Sequence, residues 1–142
     1  MKLLLEGTKV LAAISGGLLP VVAEGQLLID APHDFRVEDV QRYSYTDGAL
    51  VYDIQGELIA AVQARLDGFA QSRNYSGMLS LCTYATSTNA KFAAEGQYGV
   101  EARDATWAAC YQILADVESG ARPIPTGYAE IEPELPALAW PE

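Results

Sequence analysis

The spacing of apolar residues changes near residue 54, and this change limits the fold more than any other feature of the chain. Before it, apolar residues come in short runs or alternate with polar ones, as strands require. After it, they recur at helical intervals, as on one stripe of a cylinder. Strand-rich and helix-rich stretches that follow one another without alternating predict an α+β fold. The expected architecture is a small N-terminal antiparallel β-meander over 1–53, the interaction part. A three-helix unit over 54–120 and an extended, acidic, proline-rich tail over 121–142 follow.

Within the first third, Leu3 to Leu5 and Val10 to Ile14 flank Glu6-Gly7-Thr8-Lys9, which reads as a hairpin turn. Gly16-Gly17 breaks the second run. Leu18 to Val22 and Gln26 to Ile29 are further strand candidates, parted by Glu24-Gly25. Asp30 to Asp34 is a loop by composition. Val40 to Tyr45 then alternates with a period of two, Thr46-Asp47-Gly48 follows, and Ala49 to Tyr52 is the next run. Asp-Gly between such runs is a strong hairpin signal. Tyr43, Tyr45 and Tyr52 can fill cross-strand positions on one face. A sheet this small needs helices or a partner to cover its apolar side.

Leu58, Ile59, Val62, Leu66 and Phe69 form one stripe of a helix from about Gln55 to Gln71. Asn74 can cap a short second helix carrying Tyr75, Met78, Leu79 and Cys82 on its apolar side and reaching about Ala85. A long helix is expected from about Lys91 to Ser119. Its stripe is Phe92, Val100, Trp107, Tyr111, Leu114 and Val117, helped by Cys110 and Ile113. Gly96 and Gly99 weaken its first turns by roughly 1 kcal/mol each, and permit a kink or a close helix approach. Gly120 suits the left-handed position past the helix end, with Pro123 just beyond. Prolines at 123, 125, 133, 136 and 141 preclude a continuous helix in the tail. Yet Tyr128, Ile131, Leu135, Leu138 and Trp140 are more apolar surface than a solvated linker carries. The tail should lie against a surface, its own fold or another chain. Tryptophan is over-represented among interface anchors.

The chain has 142 residues, enough for one domain, or one with a small appendage, and for a core without metal or disulfide staples. Its formal charge of −10 repels phosphate backbones and anionic lipid, which argues against nucleic-acid and membrane-surface partners. No stretch approaches the ~20 apolar residues of a membrane span. Glu6 interrupts Leu3-Leu4-Leu5 too early for a signal peptide, so the protein is expected to stay in the cytoplasm unless an assembly carries it out. Cys82 and Cys110 have no zinc-type spacing and read as buried thiols, with an inter-helix disulfide the alternative.

Signals of catalysis are sparse. His33 is the only histidine, and no nucleophile elbow frames Ser15, Ser44 or Cys82. An exposed loop histidine is the plainer reading, and a hydrolase built on His33 the sharper one. The pairs Asp30/Asp34, Glu38/Asp39 and Glu101/Asp104 arise easily among nineteen acids. No glycine loop cradles a phosphate. The chain is therefore expected not to be an enzyme, with no catalytic residue, metal or cofactor.

From Phe69 onward the motifs become specific. Phe69 to Ser76 (FAQSRNYS) precedes Leu81 to Ser87 (LCTYATS), then Phe92, Glu95-Gly96, Trp107, Tyr111, Leu114, Val117 and Gly120 to Pro125 (GARPIP). This stretch resembles the helical C-terminal domain of unknown function in tail fibre and tail-fibre-associated proteins of tailed bacteriophages. Leu135 to Pro141 (LPALAWP) resembles the C-terminal signature of phage tail-fibre assembly proteins. The Asp30 to Phe35 loop and the later Tyr–Asp–Gly hairpin are similar to small phage proteins encoded near fibre genes.

The resemblance implies a non-enzymatic tail accessory protein, a virion component that binds a tail fibre or baseplate protein. The alternative is a tail-fibre assembly chaperone that is absent from the mature virion. Either acts in the host cytoplasm during assembly, and a homo-oligomer is compatible with both. The chain lacks the glycine-rich or repetitive shaft of a whole fibre. Partner binding is expected at the β-meander edge and the aromatic tail, through Tyr43, Tyr45, Tyr52, Tyr128 and Trp140.

Overall fold

In the computed structural model, which describes residues 1–142, strand β1 (Lys2–Glu6) folds back on β2 (Lys9–Ile14) through a turn with Gly7 at φ 58°. Glycine enters that left-handed region without steric cost. Leu4 lies opposite Ala12 but Leu5 lies opposite Val10, so Leu11 is the extra residue of a β-bulge. The bulge resolves a run that does not alternate. Val10 and Ala13 are three residues apart, and a regular strand would aim them at opposite faces. Here both pair with the buried residues Leu5 and Leu3 and pack in the same core.

Strand β3 (Gln26–Asp30) pairs with the other side of β1, and the sheet runs β3-β1-β2-β4-β5. All its pairings are antiparallel, as expected, but a strict meander would place β3 beside β2. Since β2 and β3 are each antiparallel to β1, they run parallel to one another. The link 15–25 must therefore cross from one end of the sheet to the other. Leu18 to Val22, expected as a strand, lies in this link and joins no ladder. Pro20 at its centre has no N–H to donate.

Strands β4 (Tyr43–Thr46) and β5 (Ala49–Tyr52) form the second hairpin. Asp47 (φ 52°) and Gly48 (φ 80°) both take the left-handed conformation that a tight primed hairpin turn needs. Val40 to Arg42 is not strand: a 3-10 turn over Val37–Arg42 brings Val40 onto the core instead. The two hairpins meet where Lys9 opposes Ser44 and the Tyr45 N–H donates to the Thr8 carbonyl at 2.8 Å. Leu3, Leu5 and Val10 are the buried centre of this first unit, Met1–Asp53.

The second unit, Ile54–Glu142, is helical. Helix α1 (Ile54–Gln71) buries Leu58, Val62, Leu66 and Ala70, one face at four-residue spacing. Helix α2 (Met78–Thr83) starts later than expected. Asn74 does not cap it, because Asn74 sits in the preceding turn at φ 65°. The cap comes from α1, where Asp67 Oδ1 accepts from the Met78 N–H at 2.9 Å. In so short a helix the buried stripe is only Met78 and Leu81, and Leu79 is 78% exposed.

Helix α3 (Ala90–Glu118) is capped by Asn89, whose side chain accepts from the Phe92 N–H at 3.1 Å. Its buried residues are Glu95, Gly96, Gly99, Ala102, Thr106, Cys110 and Ile113. Of the stripe expected from the sequence, Cys110 and Ile113 are buried and Trp107 and Leu114 pack against the core, but Phe92 and Tyr111 turn outward, Tyr111 being 58% exposed. Small residues win this face because the backbones approach closely. A Cβ at Gly96 would overlap the backbone of Tyr84 and Ala85, and one at Gly99 would lie 2.7 Å from Leu81 Cγ. Of the two roles open to these glycines, close approach is the one realised. The helix stops with Gly120 at φ 78°.

The tail is not a separate extended strap. It forms a single helical turn, α4 (Tyr128–Ile131), then a 3-10 turn over Glu132–Glu134, and is extended only beyond. Ile131 and Leu135 are buried with Leu58, Val62, Leu66, Met78, Leu81, Cys110 and Ile113. Residues 121–142 thus complete the helical unit's own core. The prolines interrupt helix without keeping the segment off the surface.

Candidate interaction site

Trp140 is held by the unit it belongs to. Its indole stacks on Phe69 of α1 with ring centroids 4.2 Å apart and an interplanar angle of 17°. The indole N–H donates to Ser72 Oγ at 3.0 Å, and the Arg73 guanidinium lies 4.7 Å from the ring centroid. Alongside, the Ala139 N–H donates to the Tyr98 hydroxyl at 2.8 Å, and Arg65 Nη2 donates to the Pro136 carbonyl at 2.8 Å. Stacking, cation–π and hydrogen-bonding contributions all act within the chain.

Arg73 also serves Glu95, which is only 3% exposed. Arg73 Nη1 lies 2.6 Å from Glu95 Oε1, and the Tyr75 hydroxyl donates to Oε2 at 2.8 Å. Burial alone would raise the Glu95 pKa. The hydrogen bonds from Tyr75 and Arg73, with the charges of Arg73 and Lys91, outweigh it and hold the carboxyl below the ordinary glutamate range. Burial, then the bond to Glu95, pushes the Tyr75 phenol up to about 12. This carboxylate has both oxygens engaged, so it acts as a structural pin between the 72–75 loop and α3. Beside it a recess of about 510 Å³ is lined by Arg73, Lys91, Glu95, Pro141 and Glu142, of mixed charge.

Tyr128 is half-buried against the same core, and burial pushes its phenol upward. In the first unit, Tyr43 and Tyr52 are opposite one another, with ring centroids 4.9 Å apart. Phe35 adds a third ring at 4.6 Å from Tyr43. The Tyr43 hydroxyl accepts from the Arg36 N–H at 3.1 Å, and the Arg36 guanidinium sits 4.4 Å from the Tyr52 centroid. Tyr45, two residues along, shares the face of Tyr43 and packs on the same core. The three tyrosines do lie on one face, as the pairing predicts. All five expected partner residues are engaged in their own unit's packing; none projects freely.

The surface that does project is Leu18 to Val22, a strand candidate by composition that joins no ladder. In the link between β2 and β3, Leu18 is 99% and Val21 95% exposed, and Leu19 and Val22 are exposed beside them. Ser15 to Ala23 carries no charge. The signal for an exposed link was Pro20, which demotes any strand that contains it. Isolated exposed apolar residues are ordinary, but several together mark interaction surfaces. A second apolar feature, a groove of about 570 Å³, lies between the start of α1 and the end of α3, with Ile54, Leu58, Tyr111, Leu114, Val117 and Pro125 among its lining.

His33 is exposed in its loop. Cys110 is buried and Cys82 half-buried, both as free thiols, and burial pushes both pKa values upward. No three of the His, Cys, Asp or Glu side chains are grouped so as to hold a metal ion. No helix is long and apolar enough to cross a membrane. Compared with protein-family models, with curated proteins and with solved structures, the chain matches none.

Proposed function

We propose that the chain is a non-enzymatic accessory protein of a bacteriophage tail, carried in the virion and bound to a tail fibre or baseplate protein. The tail setting rests on the resemblance of residues 69–125 and 135–141 to tail-fibre-associated and assembly proteins. The observation that carries an interaction role is the charge-free link between β2 and β3, with Leu18 and Val21 turned wholly to solvent. Burying those two side chains in a partner's apolar cleft would supply roughly 3–6 kcal/mol before the costs of association. The tail with Trp140 then has a different role from the one expected of it: it stiffens the helical unit and leaves docking to the link.

The test is quantitative mass spectrometry of purified virions against the lysate of the same infection. A fixed copy number per particle supports the accessory-protein reading. Abundance in lysate with none in particles overturns it in favour of an assembly chaperone acting in the host cytoplasm. A double variant, Leu18→Ser with Val21→Ser, should leave the fold unchanged and remove the protein from particles.

A further inference from the structure

The geometry points to β3 as a self-complementary edge that pairs, antiparallel, with β3 of a second copy of this chain. The inference is independent of the phage-tail reading. β3 is a terminal strand of the sheet and pairs only with β1. The Ala31 N–H donates to the Met1 carbonyl at 3.0 Å, so Ala31, Ile29 and Leu27 direct their backbone polar groups toward β1. By alternation, Leu28 and Asp30 direct theirs outward. Edges of this kind are commonly protected by proline, lysine or a bulge. β3 (QLLID) has none of these, and the sheet's bulge lies on β2 instead.

The residues of β3 suit pairing with themselves. With Leu28 on the two-fold axis, Leu28 faces its own copy, Leu27 faces Ile29, and Gln26 faces Asp30. Leu28 N–H and carbonyl groups exchange hydrogen bonds across the axis, and each Asp30 N–H reaches a Gln26 carbonyl. The only charge on the strand, Asp30, is already paired with Lys2 of β1 at 2.6 Å, and across the axis it meets a neutral amide. The two Asp30 residues stand roughly 14 Å apart along the strands, beyond the ~8 Å screening length at physiological salt. Leu27, exposed at the edge on the core-side face, gains an apolar neighbour. What opposes pairing is the overall charge of −10 on each copy, so added salt should strengthen it.

Sedimentation equilibrium of the full chain, at low and moderate salt, tests this. The expected result is a reversible monomer–dimer equilibrium that tightens with salt. Gln26→Glu keeps the acceptor that Gln26 Oε1 offers the Ala23 N–H, but sets a carboxylate against Asp30 of the second copy. It should weaken the dimer by roughly tenfold at low salt, and by less when salt screens the pair. Because Glu6 of β1 lies opposite position 26 in the same chain, amide exchange of β3 in the dilute monomer is the control for intrachain fraying. In a Cys82→Ser background, Leu28→Cys should cross-link through a short bis-maleimide, and Val51→Cys on β5 should not. A chain that stays monomeric at every concentration and salt overturns the proposal. So does a dimer indifferent to Gln26→Glu, or one cross-linked through position 51 and not 28.

Discussion

Trp140→Ala separates a tail docked on its own chain from one held for another. Half of an indole's surface, about 100 Å², is worth roughly 2.5 kcal/mol at 25 cal/mol per Å². Stacking on Phe69 and the cation–π contact with Arg73 each add about 0.5–1 kcal/mol. The bond to the exposed Ser72 adds little, because water replaces it. Fraying beyond Pro136 relieves part of the loss, since Ile131 and Leu135 remain buried. The net expectation is about 3 kcal/mol for Trp140→Ala and about 1 kcal/mol for Trp140→Phe, which keeps a ring on Phe69. Urea unfolding followed by fluorescence is the assay. Both tryptophans lie in the second unit, so emission reports on that unit, and Trp107 serves as reporter in the variants. Amide exchange at Ala139, bonded to Tyr98, should accelerate in step. A loss under about 0.5 kcal/mol, with Ala139 as protected as before, would refute the reasoning.

Two glycine-to-alanine changes in helices should have opposite signs. Gly68→Ala, with open space around its Cβ, should raise the stability of the second unit by about 0.5–1 kcal/mol. Gly96→Ala should lower it by about 2 kcal/mol or more, because the backbone of Tyr84 and Ala85 must move. Both are read as shifts in urea midpoint. Glu95 has a depressed folded-state pKa, so its contribution is present above the ordinary glutamate range and is lost as pH falls through the folded value. Glu95→Gln should therefore be most destabilising at neutral pH, and unfolding curves of the two proteins should converge in acid. Tyr75 shifts the other way: its contribution is full below the ordinary tyrosine value and fades as pH rises toward about 12, a loss that Tyr75→Phe should remove from alkaline titrations. Asp67→Ala should cost about 1 kcal/mol by uncapping α2, measurable in the same unfolding assay.

Local signals were the most legible ones. Asp47-Gly48 and Gly7 specify their turns through left-handed backbone that few residues tolerate. The repeat from Leu58 to Leu66 specifies α1 and its buried side. Topology was less legible. Nothing local to Gln26–Asp30 says which edge it will join, and choosing β1 over β2 turns a meander into a crossover. The inward face of α3 is legible at Cys110 and Ile113, and less so where residue size and burial part company. Tyr111 and Phe92 are apolar and large, yet Gly96 and Gly99 occupy the closest approach, because distance between backbones decides which side is inward. Of the candidate interaction residues, the tyrosine face was legible from strand pairing. The docking role given to Trp140 was not, since indole chemistry is the same in a core as in an interface. The apolar link was hidden because Leu18 to Val22 has the composition of a strand and differs only at Pro20.

On the buried side of α3, Gly96 and Gly99 follow the pinned Glu95 near the start, and Cys110 and Ile113 lie near the end. Apart from Glu95, the side chains on that face grow from glycine through Ala102 and Thr106 to a branched aliphatic, so the packing is a wedge. Tolerance to substitution should follow the same gradient. At the thin end, around Gly96 and Gly99, any enlargement meets backbone or a buried leucine. At the thick end, Leu114 and Val117 border an open groove of about 570 Å³ that can take up added volume. A population of variants drifting under selection for folding would keep the first end nearly invariant and diversify the second.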